Sequence, residues 1–156
     1  MTSAGGLKGY RGGMVEITEK PAVGRRAVAT GTIRLREETV EAIRRGEVKK
    51  GDVLTVARVA AIQAVKETPR TIPMCHPIPI TGVEVDFDLG TGRVRAEVAV
   101  TTVGRTGVEM EALAGVSAAL LNVWDMVKYL EKDGTGNYPS TCIEEIRVVE
   151  KRKGVG

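Results

Sequence analysis

The sequence predicts an α+β fold in which an antiparallel sheet carries helices on one face. First, 156 residues of 42% hydrophobic content suffice for one core without disulfides or a metal. Second, segments with alternating apolar residues occur among segments with helical spacing, and two of the alternating segments are joined by the turn 90–92. Helices combined with antiparallel strand pairs in this order favour an α+β architecture.

The first half of the chain predicts one strand and two helices. Residues 27–36 lean towards strand, and 37–45 predict a short helix that ends at Gly46. Asp52 can cap a second helix, whose valines and alanines recur at helical spacing until residues 68–69 stop it.

The second half predicts a hairpin, a long helix and a last strand. Alternation over 83–88 and 94–100 predicts the two strands of the hairpin. A helix is expected over 107–131, followed by a loop over 133–141 that is rich in Gly, Asn and Pro. A final strand over 143–151 completes the predicted sheet.

Residues 14–153 are expected to form a single catalytic α+β domain, preceded by a flexible glycine-rich tail at 1–13 that is neither a signal peptide nor an anchor. The two cysteines lack CxxC spacing, which favours a reducing cytoplasm. The net charge of +3 mildly favours a ligand that carries phosphate and gives little support to membrane binding.

The helix at 107–131 combines an apolar composition with charged residues. Such a helix should be buried on most of its circumference. Burial of a charged side chain costs several kcal/mol unless the charge is paired or serves a functional site, so the cost applies to Glu109, Glu111, Asp125 and Lys128. Lys128 follows Asp125 by one helical turn, so the two can pair and tune each other's pKa. A simple salt bridge explains that spacing as well as catalysis does.

His76, the single histidine of the chain, lies in a loop that Pro73 and Pro77 stiffen. A catalytic or binding role and a plain backbone hydrogen bond explain it equally well. Cys75 and His76 are adjacent and point to opposite faces of an extended chain, so they do not form a nucleophilic pair, and Cys75 is expected to be a packed residue. One histidine and two distant cysteines do not provide a metal site.

Lysines and arginines lie near glycine-rich turns that can offer donors to a phosphate. A solvated surface explains Lys49, Arg152 and Lys153 better. The basic residues concerned are Lys49, Lys50, Lys66, Arg105, Lys128, Lys151, Arg152 and Lys153. The chain has neither a P-loop motif nor a GxGxxG motif, which disfavours ordinary nucleotide folds.

Several motifs in order closely resemble the molybdenum cofactor biosynthesis protein C family, the cyclic pyranopterin monophosphate synthases. The resemblance covers roughly Met14 to Lys151. It rests on the segments Met14–Ile17, Lys50–Val53, Ile72–Pro77, Thr106–Leu113 and Asp125–Lys128.

The resemblance implies a ferredoxin-like subunit in a homohexamer built as a trimer of dimers, and one reaction. In that reaction 3′,8-cyclo-7,8-dihydro-GTP is rearranged into cyclic pyranopterin monophosphate with release of pyrophosphate, and no redox cofactor is required. Asp125 and Lys128 would form the acid-base pair. Substrate-binding positions would be Lys50, Lys66, Met74, Cys75, His76, Glu109, Met110, Glu111 and Lys151.

Two segments depart from the family pattern. Many relatives end in a Lys-Ser-Gly-Gly-Lys stretch, whereas this chain reads Lys-Arg-Lys-Gly-Val-Gly over 151–156. The loop at 133–141 is longer and more polar than the Gly-Pro connection of many bacterial relatives. Both departures lie outside the core motifs.

Two functions of other classes compete with the enzyme. The pI near 9.0 is compatible with a non-catalytic nucleotide- or nucleic-acid-binding module, but one Trp, three Tyr and one Phe leave few stacking platforms for bases. In a structural assembly protein, the helix charges would only fix the subunit register. We expect a small-molecule substrate and neither a nucleic acid nor a membrane as partner.

Overall fold

The computed structural model describes residues 12–154. Of the tail expected at 1–13, only Gly12 and Gly13 are among these residues, and neither belongs to a helix or a strand. The elements in chain order are β1 (Val23–Arg34), α1 (Glu37–Arg45), α2 (Val53–Lys66), α3 (Thr68–Thr71), β2 (Ile80–Gly90), β3 (Arg93–Gly104), α4 (Glu109–Glu131) and β4 (Cys142–Lys153).

The four strands form one sheet in the order β2-β3-β1-β4, and each neighbouring pair is antiparallel. Helices α2 and α4 pack on each other and over one face of this sheet. This is a ferredoxin-like arrangement: along the chain a strand and helices precede a hairpin, a helix and a last strand, and the sheet order is β2-β3-β1-β4. The predicted α+β fold is therefore confirmed.

Strand β1 lies at the centre of the sheet, where side chains on its helix-facing side such as Ala27, Ala29 and Ile33 are fully buried. Gly31 lies between them. A Cβ atom there would stand 2.7 Å from Cγ1 of Val116 and 2.9 Å from Cδ1 of Leu120. A glycine at this position therefore allows α4 to pack closely against the sheet.

The predicted bounds of the first strand, 27–36, were wrong, and the residues expected only to stop the second helix form a short helix of their own. Strand β1 begins at Val23 and ends at Arg34, because its pairing with β3 extends to Gly104 at one end and Arg93 at the other. The second helix ends at Lys66 as expected, but the chain then forms the separate turn α3, in the first turn of which Pro69 lies. Proline needs no backbone donor there, so it starts a helix as readily as it stops one.

A buried carboxylate at the end of α4 connects the start of α1 with the residue before β4. Glu131, at the end of α4, is fully buried and accepts hydrogen bonds from the backbone N–H of Arg36 at 3.1 Å and the hydroxyl of Thr141 at 2.6 Å. The hydroxyl of Thr39 donates to the same carboxylate. Arg36 is the N-cap residue of α1 and its own side chain provides no cap hydrogen bond, so Glu131 satisfies a backbone N–H that the start of the helix leaves unpaired. We call this arrangement the Glu131 clasp.

Helix α4 is long and apolar enough, by length and composition, to cross a membrane. In this structure it instead contacts β1, β3, β4 and α2, and half of its most apolar window is buried. The core helix of a globular protein meets the same criteria.

Candidate functional site

A cleft of about 610 Å³ opens where the His76 loop, the start of α4 and β4 meet. His76 also borders an adjoining cavity of about 150 Å³. The large cavity, which we call the His76 cleft, is lined by Val15, Ile17, Lys20, Met74, Cys75, His76, Ile78, Thr106, Gly107, Glu109, Met110, Glu111 and Val148. The structure thus brings together six of the predicted substrate-binding residues, from two distant segments of the chain.

Glu109 is held at the mouth of this cleft by a cation from the last strand. Its Oε1 lies 2.6 Å from Nζ of Lys151. Burial raises the pKa of Glu109, but the hydrogen bond and charge of Lys151, the backbone N–H of Glu109 itself and the charge of Arg25 together leave the pKa below its ordinary value. A Cβ atom at Gly107 would overlap Oε2 of Glu109, so this position requires a glycine if the carboxylate is to stay where it is.

Glu111 lies two residues further along α4, and its surroundings shift its pKa in the opposite direction to that of Glu109. It is 2% exposed. Burial and the neighbouring charge of Glu109 raise its pKa, although its own backbone N–H works against them. The cleft therefore places a readily ionised carboxyl beside one that keeps its proton to higher pH. Burial, together with the charge of Glu111, also raises the pKa of the Cys75 thiol.

A second charged group, the Asp125 cluster, lies on the second half of α4. Oδ1 of Asp125 is 3.1 Å from Nζ of Lys128, and Oδ2 is 3.0 Å from Nζ of Lys50. The pairing predicted for Asp125 and Lys128 is confirmed, and Lys50 adds a second ammonium group from the loop before α2. Hydrogen bonds from Lys50 and Lys128 lower the pKa of Asp125.

The expectation that the charged residues of the predicted site on α4 are buried was wrong for Asp125 and Lys128. Their side chains are 57% and 42% exposed, because the helix turns this face away from the sheet and α2. Exposed pairs of this kind contribute little to stability, so stability alone does not account for the cluster.

The two charged groups do not meet within one chain. Glu111 and Asp125 lie on a single unbroken helix, roughly 20 Å apart along its axis at about 1.5 Å per residue. Lys66 lies exposed in the last turn of α2, and within the described part of the chain it borders neither the His76 cleft nor the Asp125 cluster.

Sequence reasoning missed one buried cation. Arg25 is 5% exposed; its Nε donates to the carbonyl of Gly104 at 3.1 Å, and its Nη2 has no hydrogen-bond partner among residues 12–154. Its charge helps to lower the pKa of Glu109. Nothing in the local sequence distinguishes Arg25 from Arg26, its neighbour on the opposite face of the strand. Across the described residues, no three His, Cys, Asp or Glu side chains form a group that could hold a metal.

Comparison with known proteins gives one consistent result. The model of the MoaC family matches residues 14–154. A relative from Methanosarcina mazei is 63% identical over 95% of this chain and 94% of its own length, and one from Methanococcoides burtonii is 61% identical over 94% and 92%. Both are named probable cyclic pyranopterin monophosphate synthases. A relative from Methanothermobacter thermautotrophicus, 55% identical over 94% of this chain and 91% of its own length, is named a probable cyclic pyranopterin monophosphate synthase accessory protein.

Proposed function

The chain belongs to the MoaC family, and from this premise we propose how its two charged groups divide the work of one active site. The activity is that of a cyclic pyranopterin monophosphate synthase, a lyase of molybdenum cofactor biosynthesis. The substrate is 3′,8-cyclo-7,8-dihydro-GTP. A triphosphate can become a cyclic monophosphate only if a substrate hydroxyl attacks the α-phosphorus and the bond to pyrophosphate breaks.

In this proposal the His76 cleft holds the ring system and the ribose. Met74, Met110 and Cys75 provide polarisable surface, while His76, Glu109 and Glu111 provide groups that exchange protons. The opposite pKa shifts of Glu109 and Glu111 support a division of roles, because one carboxyl is available as a base and the other as a proton donor.

The Asp125 cluster supplies the acid-base pair and the cations. Ring opening and reclosure need proton transfer, which Lys128 performs while the ionised Asp125 orients it. Charge develops on pyrophosphate as it leaves, and the Lys50 ammonium faces that charge. We assign Lys66 and Lys151 to the triphosphate. The Lys151 ammonium has three donors, so it can bind the triphosphate and keep its ion pair with Glu109.

The 20 Å separation along α4 carries the further proposal that active sites are shared between chains. A molecule seated in the His76 cleft does not reach Asp125 on the same helix. A two-fold dimer resolves this, because each chain can offer its cleft to the Asp125 cluster of its partner. Exposed apolar side chains on the helical surface, Val59 and Leu121 among them, support burial against further copies. The oligomer that we propose is a hexamer in which three such dimers assemble.

Mixing two inactive subunits tests the shared site. Glu111→Ala and Asp125→Ala chains, each dead alone, are dissociated, mixed in equal amounts and reassembled. Half of the random dimers pair unlike chains, and one of their two sites receives both intact halves, so about a quarter of the wild-type turnover should return. The measurement is pyrophosphate release from the cyclised dihydro-GTP, together with detection of the pterin product.

A matched control separates complementation from better folding. Mixing Asp125→Ala with Lys128→Ala chains should restore nothing, since both changes fall in the same half-site. If verified mixed oligomers of the first pair stay inactive, the catalytic groups act within single chains. Wild-type turnover by Asp125→Ala alone would instead remove the Asp125 cluster from the mechanism.

We also place the reaction in the cytoplasm. Cys75 and Cys142 are both free thiols, which is compatible with a reducing compartment.

A further inference from the structure

The loop that carries Lys50 is held by local backbone contacts: the N–H of Glu47 donates to the carbonyl of Ala42 in α1 at 2.9 Å, and the N–H of Gly51 donates to the carbonyl of Val48 at 3.1 Å. It runs from Gly46 to Gly51, and both glycines adopt positive φ angles, 68° and 117°. Val48 is buried and anchors the middle of the loop in the core. Beyond Val48 the chain lies at the surface, and Lys50 is exposed there. The position of the Lys50 ammonium therefore depends on what holds the loop on its outer side.

Tyr129 on α4 provides that attachment. The backbone N–H of Lys49 donates to the hydroxyl of Tyr129 at 2.9 Å, and Nζ of Lys49 lies 5.3 Å from the centre of the tyrosine ring. Tyr129 thus holds the residue before Lys50 by two contacts, one to its backbone and one to its side chain. Tyr129 immediately follows Lys128 in α4 and stands one helical turn after Asp125.

We propose that Tyr129 is a positioning residue that places the Lys50 ammonium against Asp125. Without the tyrosine hydroxyl, the N–H of Lys49 loses its acceptor on α4, and Lys50 then moves away from the carboxylate and the backbone carbonyl of Asp125, whose oxygens lie 3.0 and 3.3 Å from its Nζ. Lys128 needs no such help, because it projects from the same helix as Asp125. This inference rests on the proposed role of Lys50 in the reaction.

Tyr129→Phe isolates the hydroxyl, since the ring remains for the Lys49 side chain. We expect kcat/KM to fall about fivefold, the factor that corresponds to one net hydrogen bond. Tyr138→Phe is the matched control, because that tyrosine lies on the loop after α4 and makes a ring contact with Trp124. It should leave kcat/KM unchanged.

A double-mutant cycle distinguishes positioning from general weakening of the fold. If Tyr129 acts through Lys50, Tyr129→Phe causes no further loss in a Lys50→Ala background. An equal fivefold loss in both backgrounds would overturn the proposal, since it would show that the hydroxyl acts independently of Lys50. Wild-type turnover by Lys50→Ala would refute the proposed role of Lys50 in the reaction. It would leave open the placement of Lys50 by Tyr129, which the next experiment tests.

An NMR titration of the Asp125 carboxyl tests the geometry without any turnover. The hydrogen bond from Lys50 is the largest cause that lowers this pKa, so Lys50→Ala raises the pKa towards its ordinary value. Tyr129→Phe should raise it in the same direction, and Tyr138→Phe should not. An Asp125 pKa unchanged in Tyr129→Phe but raised in Lys50→Ala would show that Lys50 stays in place without the tyrosine hydroxyl and would overturn the proposal.

Discussion

Two carboxyl groups of α4, Glu111 near its first end and Asp125 towards its last end, lie in opposite environments. At the first end Glu111 is enclosed and burial raises its pKa, whereas towards the last end Asp125 is exposed and two ammonium groups lower its pKa. The first end has a cavity, and the second has cations on an open surface. In the proposed function, the enclosed end binds the ring system and the ribose, and the open end presents its charges to the substrate in the cleft of a partner chain.

The largest expected effect is on turnover at the open end. Asp125→Asn and Lys128→Ala should each lower turnover by about 100-fold or more, the range for loss of an acid-base group. Exposed ion pairs contribute roughly 0–1 kcal/mol, so the melting temperature should stay within a few degrees of wild type. Product assays and thermal melts on both variants provide the measurement.

Glu41→Gln is the matched control for these variants. Glu41 is an ion-paired, exposed carboxylate on α1, where it pairs with Arg44. It should keep both activity and stability. Near wild-type turnover by Asp125→Asn would contradict the assignment of the open end to the chemistry.

A second prediction concerns stability at the end of α4, where the Glu131 clasp lies beyond the open cluster. Glu131→Ala leaves the N–H of Arg36 and two threonine hydroxyls without their acceptor in a buried site. We expect a loss of about 3 kcal/mol, which corresponds to a fall of roughly 6–12 °C in melting temperature. Glu38→Ala, an exposed change in the first turn of α1, should cost far less. Equal melting temperatures for the two variants would show that the clasp adds nothing.

The contacts of the Glu131 clasp could not be predicted from the sequence. Periodicity and turn residues located every long element, because apolar spacing, the Asp52 cap and Gly46 act within a few residues of one another. Glu131 meets Arg36 and Thr39 from more than ninety residues away, and no local pattern encodes such a contact. For the same reason the motifs indicated His76 and Glu109 but not the burial of Arg25.

A third prediction asks whether the cations serve a phosphate group. Lys50→Ala and Lys66→Ala should each weaken the binding of GTP, used as a substrate mimic, several-fold at low salt and less at high salt, because the lost attraction is Coulombic and salt screens it. Calorimetric titration at two ionic strengths measures both. Lys132→Ala, at the end of α4, provides an exposed lysine as control. Affinities that match the control at both salt concentrations would make these two lysines ordinary surface charges.

The smallest expected effect is on stability at the enclosed end, where the buried Glu111 carboxyl destabilises the fold at high pH. Because burial raises the folded-state pKa of Glu111 above the ordinary 4.5, folding becomes less favourable as pH rises from that value through the folded pKa. Glu111→Gln removes this penalty and should raise the melting temperature at pH 8, while turnover falls. The gain should disappear below pH 4.5, where both side chains are neutral.

Glu109→Gln is the contrasting variant, two residues away on the same turn. Its folded-state pKa lies below the ordinary value, so its carboxylate stabilises the fold above that value and the stabilisation is lost as pH falls. Glu109→Gln should therefore lower the melting temperature at pH 8, the opposite sign to Glu111→Gln. If both substitutions shift the melting temperature in the same direction, the enclosed end does not shift the pKa values of its two carboxyls in opposite directions, and the contrast between Glu111 and Asp125 rests on exposure alone.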